Sequence, residues 1–444
     1  MTPFQTREYL VGEEILELTP ERKVTTPPEE ERGKIIGLSN KEKALHFNGF
    51  MITNEQGDIV FEDRKRYSQH FFPLSVLDYV RAMYNFERYH QQIPILSVDS
   101  HDVLACDFRC QDCLSTHGTN FPVRQFPVDN FKMDLGIYKR ILKSIVEYSE
   151  KRGFKGVRFE QSGEGNPDYY RHRREILEHA RKLGMQSVYV STGSRISDDL
   201  AEALADNASF IRISLPGIGE AYRHYSGQNV FTFADAIKKL NRLVKERDRR
   251  VRNRDLMVGA RIALREEHGT SYFDFAAGLK DMGIDSLQIV KILVPEGKKP
   301  SDFPLPYTDI RDLEKVATLD SATFNVTIPH GLDYLVYSRE IGNRAEFPQQ
   351  CFSAMFQPVL AGRSLFVCTK SDRMYSHNSR LGTFTNEEGE LERFLSPERV
   401  ERATIGIPQQ CKTCSNIYDN MLLFQLQRLF RTNTQELKFY EIIK

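Results

Sequence analysis

The sequence has no excess of charge of either sign, no apolar run long enough to cross a membrane, and no cysteine in its long middle region. Its 444 residues include 61 basic and 61 acidic side chains, so the formal net charge is zero. The sequence therefore lacks the excess of basic residues that is typical of a nucleic-acid-binding protein. The sequence lacks the ~20 consecutive apolar residues of a membrane-spanning helix, and its first residues lack the basic start and apolar centre of a signal peptide. We therefore expect a cytoplasmic protein without nucleic-acid or membrane partners.

The cysteines are few and fall into two groups. Three of the seven lie between residues 106 and 113, four lie beyond residue 350, and none lies between the groups. An odd number of cysteines leaves at least one without a disulfide partner in the chain, and the cytoplasm keeps thiols reduced. Two separate sites that use cysteine as a ligand are a better interpretation, in a chain long enough for two or three domains.

The middle of the sequence alternates short apolar runs with amphipathic stretches. Strands are predicted at Asp102–Ala105, Gly156–Glu160, Ser187–Val190, Phe210–Ser214, Val258–Leu264 and Ser286–Leu293. Helices are predicted between them, at about residues 134–152, 170–184, 196–206, 232–247 and 271–282. Strands separated by helices pair in parallel through right-handed crossovers, which predicts an α/β fold of six units arranged as a partial (β/α)6 TIM-like barrel.

The first 95 residues follow a different pattern. Residues 13–34 are charged and proline-rich, residues 47–61 read as a hairpin, and residues 74–89 have helical spacing. A lid over the main domain and a substrate-recognition module are the two interpretations of this extension.

The first cysteine group, Cys106, Cys110 and Cys113, follows directly after the first predicted strand of the barrel. Thiolates are the soft ligands that iron–sulfur clusters prefer, and three of them leave one iron of a four-iron cluster without a protein ligand. A zinc knot or three unrelated buried thiols are the alternatives. Ligands collect at the carboxyl ends of parallel strands, which is where this loop lies. A metal-dependent active site is therefore the better interpretation.

The spacing of these cysteines resembles the signature of the radical S-adenosylmethionine (radical SAM) superfamily. In that family the cofactor's amino and carboxylate groups chelate the unique iron, and reductive cleavage gives a 5′-deoxyadenosyl radical that abstracts hydrogen from substrate. The residues after the second strand, Ser162 to Pro167, resemble the family's Gly-Gly-Glu-Pro motif. Residues after the third and fourth strands resemble its ribose and carboxylate contacts. The resemblance implies cofactor contacts from Gly163, Glu164, Ser191, Thr192, Arg212, Ser214 and Arg223.

Two positions depart from the family pattern. Asp112 stands where an aromatic residue usually precedes the third cysteine, so Asp112 or Phe108 is expected to cover the adenine edge. Pro216 replaces the aspartate of a common Ser-Leu-Asp-Gly sequence, which removes a carboxylate that would otherwise be a candidate base.

The second cysteine group consists of Cys351, Cys368, Cys411 and Cys414. A C-x-x-C pair and two distant cysteines provide the four thiolates of a closed zinc or iron–sulfur site. The surrounding sequence resembles the SPASM and twitch extensions of radical SAM enzymes, and the spacing is close to that of a twitch-type dehydrogenase of aminocyclitol biosynthesis. The resemblance implies two [4Fe-4S] clusters and S-adenosylmethionine as cofactors. The resemblance covers about residues 100 to 420 and does not include the N-terminal region. We expect five segments in all: an N-terminal extension (1–95), the barrel (96–300), a linker (301–350), an auxiliary-cluster domain (351–425) and a C-terminal helix or tail (426–444).

The cysteine count favours a net oxidation. Two clusters use all seven thiols, so none remains to return a hydrogen atom to a substrate radical, whereas a closed second cluster can accept an electron. The predicted reaction is alcohol dehydrogenation of a sugar, aminocyclitol or related small molecule, with a flavodoxin- or ferredoxin-type electron donor. Arg212, Arg223 and His224 are the candidate bases.

Three alternatives stay open at this stage. A redox-neutral epimerase could use Tyr169 or Tyr170 as hydrogen donor. A peptide-modifying maturase would need residues 1–95 to bind a leader peptide. A zinc-stabilised binding protein would have no catalytic activity.

Overall fold

The computed structural model describes the chain in segments that include most of the predicted barrel. These are residues 49–53, 59–63, 82, 92–103, 105–110, 113, 133–162, 165–250, 256–264, 271–290, 310–321, 323–328, 351, 353–367, 380–385 and 387–404. No helix in these segments is both long and apolar enough to pass through a bilayer.

Strands alternate with helices between residues 97 and 327, except that two helices follow one another at 220–249. The strands are β1 (Gly49–Thr53), β2 (Ile59–Asp63), β3 (Ser97–His101), β4 (Arg158–Gln161), β5 (Gln186–Ser191), β6 (Phe210–Leu215), β7 (Met257–Ala263), β8 (Ser286–Val290), β9 (Asn325–Thr327), β10 (Val359–Ala361), β11 (Ser364–Phe366) and β12 (Arg380–Thr383). The helices are α1 (Leu135–Glu150), α2 (Arg173–Lys182), α3 (Asp198–Asn207), α4 (Glu220–Ser226), α5 (Phe233–Arg249), α6 (Tyr272–Asp281), α7 (Ile310–Ala317), α8 (Ser353–Phe356), α9 (Glu390–Phe394) and α10 (Pro397–Thr404), with a 3₁₀ turn at Pro167–Tyr169.

Ten strands form one sheet in the order β12-β11-β10-β3-β4-β5-β6-β7-β8-β9. From β3 to β9 every neighbouring pair is parallel and the strands follow one another in chain order. The mixed α/β class with a parallel sheet is therefore confirmed. The sheet has four more strands than the six expected. Strand β9 continues it within the segment 301–350, for which the sequence indicates a linker, and β10, β11 and β12 extend its other side.

The first strand of the barrel is shifted from its predicted position. The sequence pattern places it at 102–105, but β3 spans Ser97–His101 and is buried along its whole length. The prediction was wrong because β3 carries polar side chains on one face, so its apolar pattern is weak. The N-terminal hairpin is confirmed, since β1 and β2 pair antiparallel around residues 54–58.

The C-terminal strands extend the same sheet beyond β3. Strand β10 pairs in parallel with β3, and β11 and β12 follow as antiparallel neighbours. Side chains from this region, including Met355, Leu360 and Phe394, share one apolar cluster with α1, β3 and β4. A second cluster joins β5–β8 to α3, α5 and α6. The described residues between 351 and 404 therefore pack directly against the start of the parallel sheet.

The two faces of the parallel sheet differ in chemistry. Alternate residues of a strand point to opposite faces, and one face carries fully buried apolar side chains such as Val98, Phe159, Ile213 and Ile262. We call the opposite face the polar face, and the pairing register of the strands shows which residues lie on it. It carries Ser97, Asp99, His101, Arg158, Glu160, Arg212, Ser214, Arg261 and Gln288.

Candidate active site at the carboxyl edge of the sheet

The cysteine loop leaves the sheet at the carboxyl end of β3. The N–H of Phe108 donates to the sulfur of Cys106 at 3.4 Å, and the N–H of Cys113 donates to the carbonyl of Cys110 at 3.1 Å. Cys106 is exposed, while Cys110 and Cys113 are half-buried. All three thiols are therefore on one short loop that water and a ligand can reach.

The donor set of this loop suits an iron–sulfur cluster. Within the described segments, no three His, Cys, Asp or Glu side chains converge into a ready-made metal site. Three thiols on one loop, with a backbone N–H directed at one sulfur, are nevertheless the ligand chemistry that such clusters use. Cys106, Cys110 and Cys113 would hold the cluster once their protons are released.

Helix α4 and the turn after it hold the loop in place. The N–H of Arg109 donates to the carbonyl of Ser226 at 2.8 Å, and the side-chain amide of Gln228 donates to the carbonyl of Asp107 at 3.2 Å. Gly227 lies between these contacts with a φ of 58°, and a Cβ added there would lie 2.9 Å from the Arg109 carbonyl oxygen. The turn at the end of α4 thus fits closely under the cysteine loop only because residue 227 has no side chain.

Phe108 has a packing role in this structure. Its side chain is only 2% exposed, and its ring meets that of Tyr222 at 6.1 Å, edge to face. It also contacts Phe231. The ring therefore anchors the loop to the core, which does not support the expectation that it covers an adenine. Asp112, the other residue suggested for that contact, lies outside the described residues.

The loop after β4 connects the cysteine loop to the loop after β5. The N–H of Asn166 donates to the carbonyl of Ala105 at 2.8 Å, and its side-chain amide donates to the hydroxyls of Thr192 at 2.9 Å and Ser194 at 3.3 Å. Asn166 is 1% exposed. In the sequence this residue stands out only as a departure from a motif, whereas the structure makes it the contact point of three loops. Gly163 and Glu164, predicted cofactor contacts on the same loop, fall outside the described residues.

Ser191, at the end of β5, is buried and held by several polar groups. Its hydroxyl lies 2.8 and 2.9 Å from the carboxylate oxygens of Asp168, which also accepts from the hydroxyl of Tyr189 at 2.6 Å. Burial raises the pKa of Asp168 despite these hydrogen bonds. Ser191 also donates to the side-chain oxygen of Asn166 at 3.3 Å. It is therefore engaged in a buried polar network that joins Asp168 to Asn166, while Thr192 accepts from the amide of Asn166.

A buried ion pair supports the same loops from below. Arg173 contacts Asp102 at 2.9 Å, and both side chains are 3% exposed or less. The guanidinium also donates to Gln161 at 2.6 Å and to the carbonyl of Pro167 at 2.7 Å. Arg173 thus ties the end of β3, the end of β4 and the 3₁₀ turn into one unit, a role that nothing in the sequence pattern indicates.

Arg212 and Ser214 lie on the polar face of β6. Arg212 donates to the side-chain oxygen of Gln288 on β8 at 2.8 Å. Burial lowers the pKa of Arg212 to about 9, and the positive charge of Arg261 lowers it as well, against the opposing charges of Glu160 and Asp99. The structure brings Arg212 and Ser214 to the same face, as their spacing predicts.

The other candidate catalytic residues are dispersed. Arg223 and His224 lie on the exposed side of α4, where Arg223 donates to Asn229 at 2.9 Å. The hydroxyl of Tyr170 is buried and donates to the carbonyl of Met133 at 3.0 Å. Tyr169 stacks under the guanidinium of Arg195 at 4.1 Å. Arg223 and His224 thus lie at the surface of α4, and Tyr170 lies in the core beside Arg173.

Sequence reasoning missed a buried aspartate–histidine pair on β3. Asp99 contacts His101 at 3.2 Å and accepts from the hydroxyl of Ser162 at 2.6 Å. Burial works to raise the pKa of Asp99, but the charge and hydrogen bond of His101 outweigh it and lower the pKa. In the sequence, the alternating polar residues of Ser97–His101 could have indicated a strand with one polar face. So polar a stretch is equally typical of a loop.

Of the second cysteine group, Cys351 lies inside the described segments. It is buried in the apolar cluster that joins the C-terminal strands to β3, and its N–H donates to the carbonyl of Thr404 at 3.1 Å. Helix α8 follows, and its last residue, Phe356, accepts from the N–H of Leu96 just before β3. Cys351 therefore lies shortly before the helix that contacts the start of β3, whereas Cys106 follows the carboxyl end of that strand. Cys368, Cys411 and Cys414 lie outside the described residues.

Comparison with solved structures identifies the fold. A crystal structure of SuiB from Streptococcus suis with S-adenosylmethionine bound gives a TM-score of 0.53 at 13% identity, covering 78% of this chain and 75% of SuiB. SuiB bound to its precursor peptide SuiA gives 0.52 at 13% identity, covering 76% of each chain. No protein-family model matches the sequence, and a search of curated protein sequences finds no significant match. At this identity the likeness shows a shared fold.

Proposed function

We propose that this chain is a radical SAM enzyme. The observation that carries the proposal is the cysteine loop at the carboxyl edge of a parallel sheet, held against the loops after β4, β5 and β6 by hydrogen bonds from Asn166 and Arg109. The fold shared with SuiB, which was crystallised with S-adenosylmethionine, supports it. A zinc knot would not need these neighbouring loops.

In this proposal the residues at the edge bind the cluster and two parts of S-adenosylmethionine. Cys106, Cys110 and Cys113 would hold a four-iron cluster, which when bound supplies the electron for reductive cleavage of S-adenosylmethionine. Thr192 and Ser194, positioned by Asn166, present hydroxyls suited to a ribose. Glu164, two residues before Asn166, would accept hydrogen bonds from the cofactor's ammonium group.

We further propose a net oxidation as the overall reaction. The second cluster would be held by Cys351, Cys368, Cys411 and Cys414. Helix α8, which begins two residues after Cys351, contacts the start of β3 through Phe356, so the two clusters would lie towards opposite ends of β3. A substrate on the polar face would then lie between the two. A small sugar or aminocyclitol alcohol is the substrate class, with a flavodoxin- or ferredoxin-type donor.

A peptide substrate is the second candidate. SuiB has been crystallised with its precursor peptide SuiA, and that structure matches this chain as well as the cofactor complex does. The β1–β2 hairpin in the N-terminal extension gives the chain a small sheet outside the barrel, a type of element that can accept an extended peptide as an added strand.

Cofactor binding tests the proposal without a substrate. Anaerobically reconstituted protein is expected to hold about eight iron atoms per chain, four per cluster, and to bind S-adenosylmethionine in a calorimetric titration. Asn166→Ala should weaken that binding by up to about thirtyfold, since the two hydrogen bonds that fix Thr192 and Ser194 are worth about 1 kcal/mol each. Arg181→Gln, on the exposed side of α2, is the control. Zinc in place of iron, or equal binding by all variants, would contradict the proposal.

A further inference from the structure

Asp168 is an acidic residue at the edge of the sheet to which the proposed function assigns no role. It is half-buried and lies in the 3₁₀ turn Pro167–Tyr169. Its carboxylate accepts from the hydroxyl of Tyr189 at 2.6 Å and from that of Ser191 at 2.8 and 2.9 Å. Removing a carboxylate from water is costly, so the donors gathered around this one indicate that its acceptor atoms are needed there.

Ser191 connects this carboxylate to the loop after β5. A serine hydroxyl has a single proton to donate. Its contacts with the Asp168 oxygens are shorter than the 3.3 Å contact with the side-chain oxygen of Asn166. The Ser191 oxygen in turn accepts from the N–H of Gly193 at 2.8 Å, where the backbone turns with a φ of 80°. By taking the proton of Ser191, Asp168 turns a lone pair of that oxygen towards Gly193 and holds the turn.

The backbone of Asp168 fixes the orientation of the Asn166 side chain. The N–H of Asp168, which can only donate, lies 3.3 Å from the Asn166 side-chain oxygen. The nitrogen of the same amide therefore faces the hydroxyls of Thr192, at 2.9 Å, and Ser194, at 3.3 Å. Both protons of that nitrogen are donated to the two hydroxyls.

A count of lone pairs shows what the two hydroxyls can offer a ligand. Thr192 accepts from Asn166 and, at 3.4 Å, from the N–H of Ser194, which occupies both of its lone pairs. The two hydroxyl oxygens are 2.9 Å apart, so Thr192 donates to Ser194. Ser194 then accepts from both Asn166 and Thr192. Its own proton is left without an acceptor among the described residues, and this proton can be donated to a ligand.

We propose that Asp168 is a positioning residue that, through Ser191 and Asn166, makes the Ser194 hydroxyl a hydrogen-bond donor to an acceptor oxygen of the ribose of S-adenosylmethionine. The identity of the ligand rests on the proposed function, whereas the polarity of the network does not. An asparagine at position 168 has one side-chain oxygen for the two hydroxyls of Tyr189 and Ser191. Ser191 would then turn its proton elsewhere and release the N–H of Gly193.

Calorimetric titration of the full-length reconstituted protein with S-adenosylmethionine tests the first half of this proposal. Asp168→Asn and Ser194→Ala should each weaken binding by about tenfold, as expected for the loss of one hydrogen bond to the ligand. The double variant should bind no more weakly than the weaker single variant, because Asp168 acts through Ser194. Asp199→Asn replaces an exposed aspartate of α3 and should bind as the wild type does.

Amide hydrogen exchange without ligand tests the second half. In peptides that contain Gly193, mass spectrometry should show faster exchange in Asp168→Asn and in Ser191→Ala than in the wild type or Asp199→Asn, while exchange in β6 and β7 stays unchanged. This pattern separates positioning of the turn from general loss of structure, which would raise exchange in all three strands.

Three outcomes would overturn the proposal. These are unchanged exchange at Gly193 in Asp168→Asn, equal affinity of Asp168→Asn and the wild type for S-adenosylmethionine, and effects of Asp168→Asn and Ser194→Ala that multiply in the double variant. A wild-type protein that bound no S-adenosylmethionine would contradict the proposed function and the ribose assignment, and the exchange measurement would still decide whether Asp168 holds the turn.

Discussion

At the scale of single residues, two neighbouring arginines on α2 differ sharply in surroundings. Arg173 is 3% exposed and pairs with Asp102 while donating to Gln161 and the Pro167 carbonyl. Arg174 is about a third exposed and pairs with Asp199 at the surface. Exposed ion pairs are screened by water, whereas removing one member of a buried pair leaves the other charge unpartnered.

Replacement of these two arginines should therefore have very different effects on stability. Arg173→Met should lower the free energy of unfolding by about 3–5 kcal/mol, because Asp102 would be left buried and alone. Arg174→Met should change it by less than about 1 kcal/mol. Urea unfolding followed by circular dichroism measures both. Similar effects from the two variants would show that the Arg173 network does not hold the strand ends together.

At the scale of elements, the turn after α4 determines how closely the cysteine loop can be held. Gly227 has a φ of 58° and lies against the Arg109 carbonyl, next to the hydrogen bond from Arg109 to Ser226. Gly153, after α1, has a similar φ of 78°, but no atom lies within 4 Å of the position that a Cβ would take there. Both glycines have a left-handed backbone that would be strained in a residue with a side chain. They differ in that Gly227 contacts the cysteine loop and Gly153 does not.

Substitution of the two glycines separates these effects. Gly153→Ala should cost about 1–2 kcal/mol for the left-handed backbone alone and leave iron binding unchanged. Gly227→Ala should also displace the cysteine loop, so its iron content after reconstitution should fall even when its thermal stability matches that of Gly153→Ala. Equal iron content in the two variants would mean that α4 does not position the loop.

How far the sequence can predict the structure also depends on the element. The apolar pattern predicts strands β4–β8 within a few residues, because one face of each is continuously apolar and each is flanked by helices with regular spacing. Strand β3 is misplaced because Ser97, Asp99 and His101 give it a polar face. The roles of Asn166 and Arg173 depend on contacts between residues distant in sequence, which no local pattern encodes. The cysteine loop is predictable because its three thiols are close in sequence.

At the scale of the whole molecule, the C-terminal strands and the parallel sheet form one structure. Strand β10 pairs with β3, and β12 packs against α9 so closely that a Cβ on Gly382 would overlap the ring of Phe394. Their apolar side chains belong to one cluster with α1. Unfolding of the C-terminal strands should therefore be coupled to unfolding of β3 and α1 at the start of the barrel.

Calorimetry of a Gly382 variant tests this coupling. Gly382→Ala should destabilise the protein by about 1–3 kcal/mol through overpacking, and β3 and β10 should still unfold in one transition that shifts to lower temperature. Gly278→Ala, within α6 and with free space around it, should be neutral or stabilising by up to about 1 kcal/mol. A separate early transition in Gly382→Ala would show that the C-terminal strands form an independent unit.

The loop of Cys106, Cys110 and Cys113 is, in the function proposed for this chain, the site at which S-adenosylmethionine is cleaved. The decisive measurement is the release of 5′-deoxyadenosine from S-adenosylmethionine by reconstituted protein after anaerobic reduction, quantified by mass spectrometry. We expect release by the wild type, background release by Cys106→Ala, and retained release by Cys368→Ala, which alters only the second cysteine group. Absence of release by iron-loaded wild-type protein, or equal release by Cys106→Ala, would show that the loop does not cleave the cofactor.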